Sequence, residues 1–181
     1  MKPQALMSAL AMALALTVAP VTAQASMETP AAIREATDAV YFAEADMEEV
    51  FGVSKIKNGE FRWKDGRNDV THVVISLSRQ MAYAYDGDDL IAVSTVSTGR
   101  ESNPTPPGIF PILEKKRHHK SNKYNDAPMP YMQRLDNWGI ALHEGNLPGK
   151  PASHGCIRLP REFAKNLFSA TKVGSEVMIG G

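Results

Sequence analysis

The stretch 73–98 constrains this chain more than any other. Val73, Ile75 and Leu77 alternate with Val74, Ser76 and Ser78, and Met81, Tyr83 and Tyr85 alternate with alanines. A period of two puts successive side chains on opposite faces, as a strand does and a helix does not. Asp86-Gly87-Asp88 supplies a tight turn, and 90–98 reads as the returning strand. The centre of the chain is therefore an antiparallel hairpin or meander.

The flanking pattern adds strands and two helices. Thr29 can cap a helix and Pro30 suits its first position. Ile33, Ala36, Val40, Ala43, Met47 and Val50 then form one apolar stripe, stopped by Gly52. Residues 56–70 are polar and turn-rich and read as a connection. The prolines of 103–108 exclude regular structure there, and 109–114 resumes as a strand. Residues 115–128 read as a long surface loop, with a lid as its alternative role. Lys115, Lys116, Arg117 and Lys120 read as solvated loop charges, with an anionic polymer as the alternative partner. Trp138, Ile140 and Leu142 alternate with Gly139, Ala141 and His143, which predicts a strand with His143 opposite the bulky apolar set. Pro160 opens a helix carrying Phe163, Leu167 and Ala170 on one side, and 176–179 reads as a closing strand.

Composition narrows the function classes. Twenty Lys and Arg balance 20 Asp and Glu, which argues against a basic nucleic-acid-binding surface. The 181 residues suit one domain, and the single cysteine excludes an internal disulfide framework. Residues 1–25 have one charge, Lys2, an apolar run over 5–21 and the small residues Ala23 and Ala25. They read as a secretory signal cleaved after Ala25; Pro20, Thr22 and Gln24 make the run short for a membrane anchor. The expectation is an exported, periplasmic or envelope protein without stable membrane insertion once the signal is removed. An unpaired thiol in an oxidising space needs a purpose, which directs attention to Cys156.

The stretch HEGNLPGKPASHGCIRLP, residues 143–160, brings together a thiol, two imidazoles, a hydroxyl and a guanidinium. A neighbouring imidazole can take the thiol proton and form an ion pair, generating the nucleophilic thiolate. His143 and His154 are the candidate bases for Cys156. Gly155 permits a sharp turn that aims consecutive N–H groups at one point, as an oxyanion requires. The Arg158 fork suits a carboxylate. His143, His154 and Cys156 could alternatively bind a metal, but they lack the paired spacing of structural zinc motifs. His118 and His119 read as solvated, and His72 has no evident partner.

On these residues the chain resembles the L,D-transpeptidase catalytic domain, or YkuD, family. SHGCIRL is similar to the family's signature. VVISLSRQMAYAYDGDDLIAVSTVSTG resembles its first strands, and NPTPPGIFPI its threonine-proline-x-glycine stretch. The resemblance covers about 70–181, leaving 26–69 as an N-terminal helical extension and linker. It implies a mostly β fold, a mixed sandwich or barrel-like catalytic domain, with one helix before it and one after the cysteine motif. It also implies Cys156 as nucleophile, His143 as general base and acid, and His154 as the motif histidine. The backbone amides of His154, Gly155 and Cys156 map to the oxyanion hole, and Ser153 and Arg158 to substrate binding. The chain departs from the family in a shorter loop between His143 and Cys156, in Glu144 and in Pro107.

The implied reaction begins with attack of Cys156 on a peptidoglycan tetrapeptide stem, releasing D-alanine and leaving a thioester. An amine then takes the acyl group, from a second stem or from a lysine of an envelope protein. No cofactor or metal is implied, and carbapenems are expected to acylate the thiol. The alternatives are a carboxypeptidase or endopeptidase hydrolysing stems, and a non-catalytic wall-binding protein of the same fold.

Overall fold

The computed structural model describes residues 28–181, so the secretory-signal reading of 1–25 lies outside the described residues. Helix α1 (Pro30–Phe51) is followed by strands β1 (Phe61–Trp63), β2 (His72–Ser76), β3 (Met81–Asp86), β4 (Asp89–Thr95), β5 (Gly108–Pro111), β6 (Glu114–Lys116), β7 (Met132–Arg134), β8 (Ala141–Glu144) and β9 (Ile157–Leu159). Helix α2 (Arg161–Ala170) and strand β10 (Glu176–Gly180) complete the chain. Six strands form one sheet in the order β1-β4-β3-β2-β10-β5, and four form a second in the order β6-β7-β8-β9. The pairs β2–β10 and β8–β9 are parallel and the others antiparallel. The mostly β architecture with an early and a late helix is the one expected.

Alternation in β2 and β3 feeds two separate apolar layers. Val73, Ile75, Ala82 and Ala84 face the main core with Leu142, Ile157, Phe163 and Leu167 from the second sheet and α2. Val74, Tyr83 and Tyr85 face the other way, against Val40, Ala43 and Met47 of α1. The large sheet is thus covered on both faces, which explains why β2 lacks a polar face.

Helix α1 starts and stops as its sequence predicts. Thr29 Oγ1 accepts the Ala32 N–H at 3.2 Å, and Gly52 adopts φ 66° while its N–H bonds Glu48 O. The buried stripe is Ala32, Ala36, Val40, Ala43 and Met47, so Ile33 and Val50 are displaced from the seam they were expected to share. The small residues bring the helix close to β10: a Cβ on Gly180 would lie 2.6 Å from the Ala36 backbone.

Several expectations are corrected. The supposed connection 56–70 contains β1, whose Phe61 and Trp63 rings lie 5.9 and 5.6 Å from Phe163. The strand expected over 109–114 ends at Pro111, and the chain enters the second sheet at Glu114. The expected loop 115–128 therefore begins inside β6, and its basic cluster is not uniformly solvated. Lys115 Nζ donates to Phe168 O and Thr171 O at the C-terminal end of α2, where a cation meets unpaired carbonyls. Lys116 pairs with Glu114, and Arg117 lies over Tyr131. His72 also has a partner, since its ring stacks on Tyr85 at 4.8 Å.

Candidate active site

Strand β8 leads into the loop 145–152, then the turn Ser153-His154-Gly155-Cys156, then β9. Because β8 and β9 are parallel neighbours, His143 lies opposite Arg158. Two segments between β4 and β5 frame the turn. Ala152 and Ser153 donate their N–H groups to Thr98 O, and Arg158 exchanges backbone bonds with Ser97. Thr105 Oγ1 donates to Gly155 O at 2.7 Å and accepts Gly99 N–H at 2.8 Å. A Cβ at Gly99 would sit 2.2 Å from Asn103 O, so only glycine fits there. The serine-threonine-glycine and threonine-proline motifs therefore brace the cysteine turn.

The turn distributes its polar groups differently from the sequence expectation. Gly155 has φ 107°, and a Cβ there would meet Ile140 Cδ1 at 2.6 Å. Its N–H, expected as an oxyanion donor, donates instead to Ser153 Oγ at 3.1 Å. Ser153, expected to bind substrate, is buried and spends its hydroxyl on Gly155 N and Cys156 O. Among the described residues, the His154 and Cys156 N–H groups have no acceptor.

His143 is buried, and its Nδ1 lies 2.6 Å from Glu144 O. A carbonyl only accepts, so Nδ1 carries the proton and Nε2 keeps its lone pair. Burial pushes the imidazole pKa down to about 4, helped by Arg158 and His119 and opposed by the Glu144 bond. Burial pushes the Cys156 thiol up. A hydrogen bond from the Ala141 backbone and the charges of Arg158 and Lys123 oppose that rise, while Asp136 adds to it. The two shifts favour a neutral thiol and a neutral imidazole at rest, in place of the ion pair expected from the sequence. The sulfur is half-buried, packs with Met129, Met132 and Ala141, and donates to Gly139 O at 3.3 Å.

The thiol opens onto a cleft of about 740 Å³ lined by Tyr124, Met129, Trp138, His143 and Arg158 among others. His154 is exposed, and its ring stacks on Tyr124 with centroids 4.4 Å apart. Arg158 rests its stem against Gly145, where a Cβ would come within 2.8 Å of Cγ. Its guanidinium has no carboxylate partner among the described residues. His119, expected to be solvated, lines this cleft.

Sequence reasoning missed Asp136, whose Oδ1 accepts the N–H groups of Trp138, Gly139 and Ile140. That turn delays β8 to Ala141 and leaves Trp138, expected in the strand, 77% exposed. The run Asp-Asn-Trp-Gly was a readable turn signal. A second groove of about 430 Å³ lies beside α1 and contains neither a thiol nor an imidazole. Among the described residues, no group of three or more His, Cys, Asp or Glu is placed to hold a metal ion. No described helix is long and apolar enough to cross a membrane.

A family model for the L,D-transpeptidase catalytic domain, YkuD, matches residues 70–179. A probable L,D-transpeptidase 3 of Mycobacterium tuberculosis is 30% identical over 109 residues, covering 51% of this chain and 40% of the relative. An L,D-transpeptidase structure from Stackebrandtia nassauensis is similar with TM-score 0.59 and 26% identity, over 71% of this chain and 62% of that one. The M. tuberculosis L,D-transpeptidase 3 structure, in complex with a faropenem-derived adduct, aligns with TM-score 0.54 and 25% identity, over 62% of this chain and 60% of that one. The chain thus spans less than two thirds of the length of each of these relatives.

Proposed function

From the premise that this chain belongs to the L,D-transpeptidase catalytic-domain family, we propose that it is an exported cysteine acyltransferase acting on peptidoglycan stem peptides. The carrying observation is the arrangement at Cys156: a cleft-facing thiol, two unoccupied amides in its own turn, and an imidazole whose Nδ1 is already bonded.

In the proposed reaction, Cys156 attacks the carbonyl linking the third stem residue to its terminal D-alanine. His143 Nε2 takes the thiol proton as the carbon–sulfur bond forms, so the charged pair exists only with substrate bound. The His154 and Cys156 amides face the developing oxyanion. A donor of this kind typically lowers a barrier by about 2.7–4 kcal/mol. Collapse of the tetrahedral adduct breaks the amide bond, and the imidazolium returns its proton to the departing amine of D-alanine. An acceptor amine then attacks the thioester, His143 removes its proton, and the thiol is restored. The uncompensated charge of Arg158 suits a stem carboxylate in the same cleft. His154 acts through its backbone, while its ring forms the platform for Tyr124. Residues 1–25 serve as the export signal. The faropenem-derived adduct on the mycobacterial relative supports β-lactams as probes of Cys156.

The test is product analysis after incubation with purified tetrapeptide muropeptides. Release of D-alanine together with cross-linked dimers is the expected result. Release of D-alanine without dimers, in the presence of an amine acceptor, would make the protein a hydrolase.

A further inference from the structure

We propose that Asp136 is a positioning residue for the nucleophile: it fixes the 136–140 turn so that the Gly139 carbonyl receives the Cys156 S–H until substrate draws the thiol to His143. The inference rests on the reading of Cys156 as nucleophile.

The geometry begins with one buried carboxylate. Asp136 Oδ1 accepts three successive backbone N–H groups, from Trp138 at 2.9 Å, Gly139 at 2.7 Å and Ile140 at 2.8 Å. Three donors converging on one oxygen turn their peptide N–H bonds inward and leave carbonyls facing out. Two of those carbonyls have partners at the site. Gly139 O accepts the Cys156 S–H at 3.3 Å, and Trp138 O accepts from Lys123 Nζ. Gly139 sits at φ 104°, a conformation that glycine adopts without strain. The Ala141 backbone, one residue past the turn, acts to lower the thiol pKa against the effect of burial. The turn thus supplies an acceptor that suits the thiol.

This arrangement defines how the proton leaves. At rest the S–H points at Gly139 O, and the Nε2 lone pair of His143 is free of the Glu144 bond that holds Nδ1. Both side chains line the same cleft, and in the proposal substrate binding brings the S–H to Nε2. Transfer then breaks S–H and forms N–H as the sulfur bonds the substrate carbonyl carbon, leaving imidazolium beside the oxyanion. The charged and titratable groups facing the pair are Asp136 from the turn, Arg158 from β9, and Lys123 and His119 from the segment between β6 and β7. Asp136 is the negative charge among them, and a neutral side chain in its place favours the thiolate.

The test measures alkylation of Cys156 by iodoacetamide against pH in the full chain, for wild type, Asp136→Asn and Asp136→Ala. Melting temperature and the rate of acylation by faropenem are followed in parallel. Asp136→Asn retains an acceptor oxygen and removes the charge, so its alkylation midpoint is expected at lower pH with its melting temperature nearly unchanged. Asp136→Ala is expected to lose the turn and to acylate about tenfold or more slowly. An unmoved alkylation midpoint in Asp136→Asn would overturn the inference even if Asp136→Ala fails to fold, as would wild-type acylation by folded Asp136→Ala. Alkylation needs no stem peptide. Failure of the muropeptide reaction with a shifted midpoint therefore counts against the proposed function alone.

Discussion

In the six-stranded sheet, Val73 and Ile75 enter one apolar layer while Val74, Tyr83 and Tyr85 enter another. In the four-stranded sheet, Leu142 and Ile157 enter the core, but Ala141, His143 and Arg158 border an open cleft. The first arrangement covers both faces of its central strands. The second covers one and leaves the other to polar groups that a packed core would not tolerate. Both sheets thereby share one core, but the candidate site's polar groups lie on the open face of the second. The serine-threonine-glycine segment after β4 joins them by bonding the cysteine turn.

The largest expected effect comes from cutting into the first sheet. Removing residues 1–69 leaves the segment matched by the family but takes away α1 and β1. Val74, Tyr83, Tyr85, Leu90 and Val93 would then lose their cover. At roughly 1.5–3 kcal/mol for each large apolar side chain, that loss approaches the whole stability of a domain. The truncated chain is expected to show no cooperative thermal transition by circular dichroism. A sharp transition near the full-length midpoint would show that the α1-facing layer contributes little to stability.

A middle-sized effect tests the burial of His143. Its folded pKa of about 4 lies below the ordinary histidine value of 6.5. Between these values the unfolded chain binds the proton and the native chain does not. Stability is therefore complete above about pH 6.5 and falls as pH drops toward 4, by about 3 kcal/mol for this group. His72, also lowered by burial, contributes with the same sign. Urea denaturation at pH 7 and pH 4.5 should show a smaller loss in His143→Gln than in wild type. Equal losses would contradict a buried neutral imidazole.

The smallest effect lies at the rim. Tyr124→Ala removes the ring stacked on His154. The stack is worth about 0.5–1.5 kcal/mol, so acylation by faropenem should change by no more than about tenfold. Melting temperature should stay within about 2 °C, because Tyr124 is exposed. A large drop in melting temperature would place the rim within the stabilising part of the fold.

The same contrast explains what could be read from the residues alone. Alternation exposed β2, β3 and β4 because long strands repeat their period, and α1 was legible from Thr29, Pro30 and Gly52. Strands β1, β6 and β7 have three residues each, too few for a period to emerge. Trp138 was misplaced because bulk at alternate positions mimics a strand until Asp136 gathers the local amides. At the site, residue type pointed to Cys156 and His143, and the structure places both in one cleft. Side-chain chemistry could not show that Ser153 and the Gly155 amide bond each other, because that depends on how the turn closes. Nor could it show that burial would leave the thiol and imidazole neutral.

The central claim is that acyl groups are carried on the Cys156 sulfur. Intact-protein mass spectrometry after incubation with a tetrapeptide donor, quenched in acid, tests it directly. Wild type is expected to gain the donor mass less D-alanine, and Cys156→Ala to gain nothing. The same gain in Cys156→Ala, or none in wild type while D-alanine is released, would contradict it.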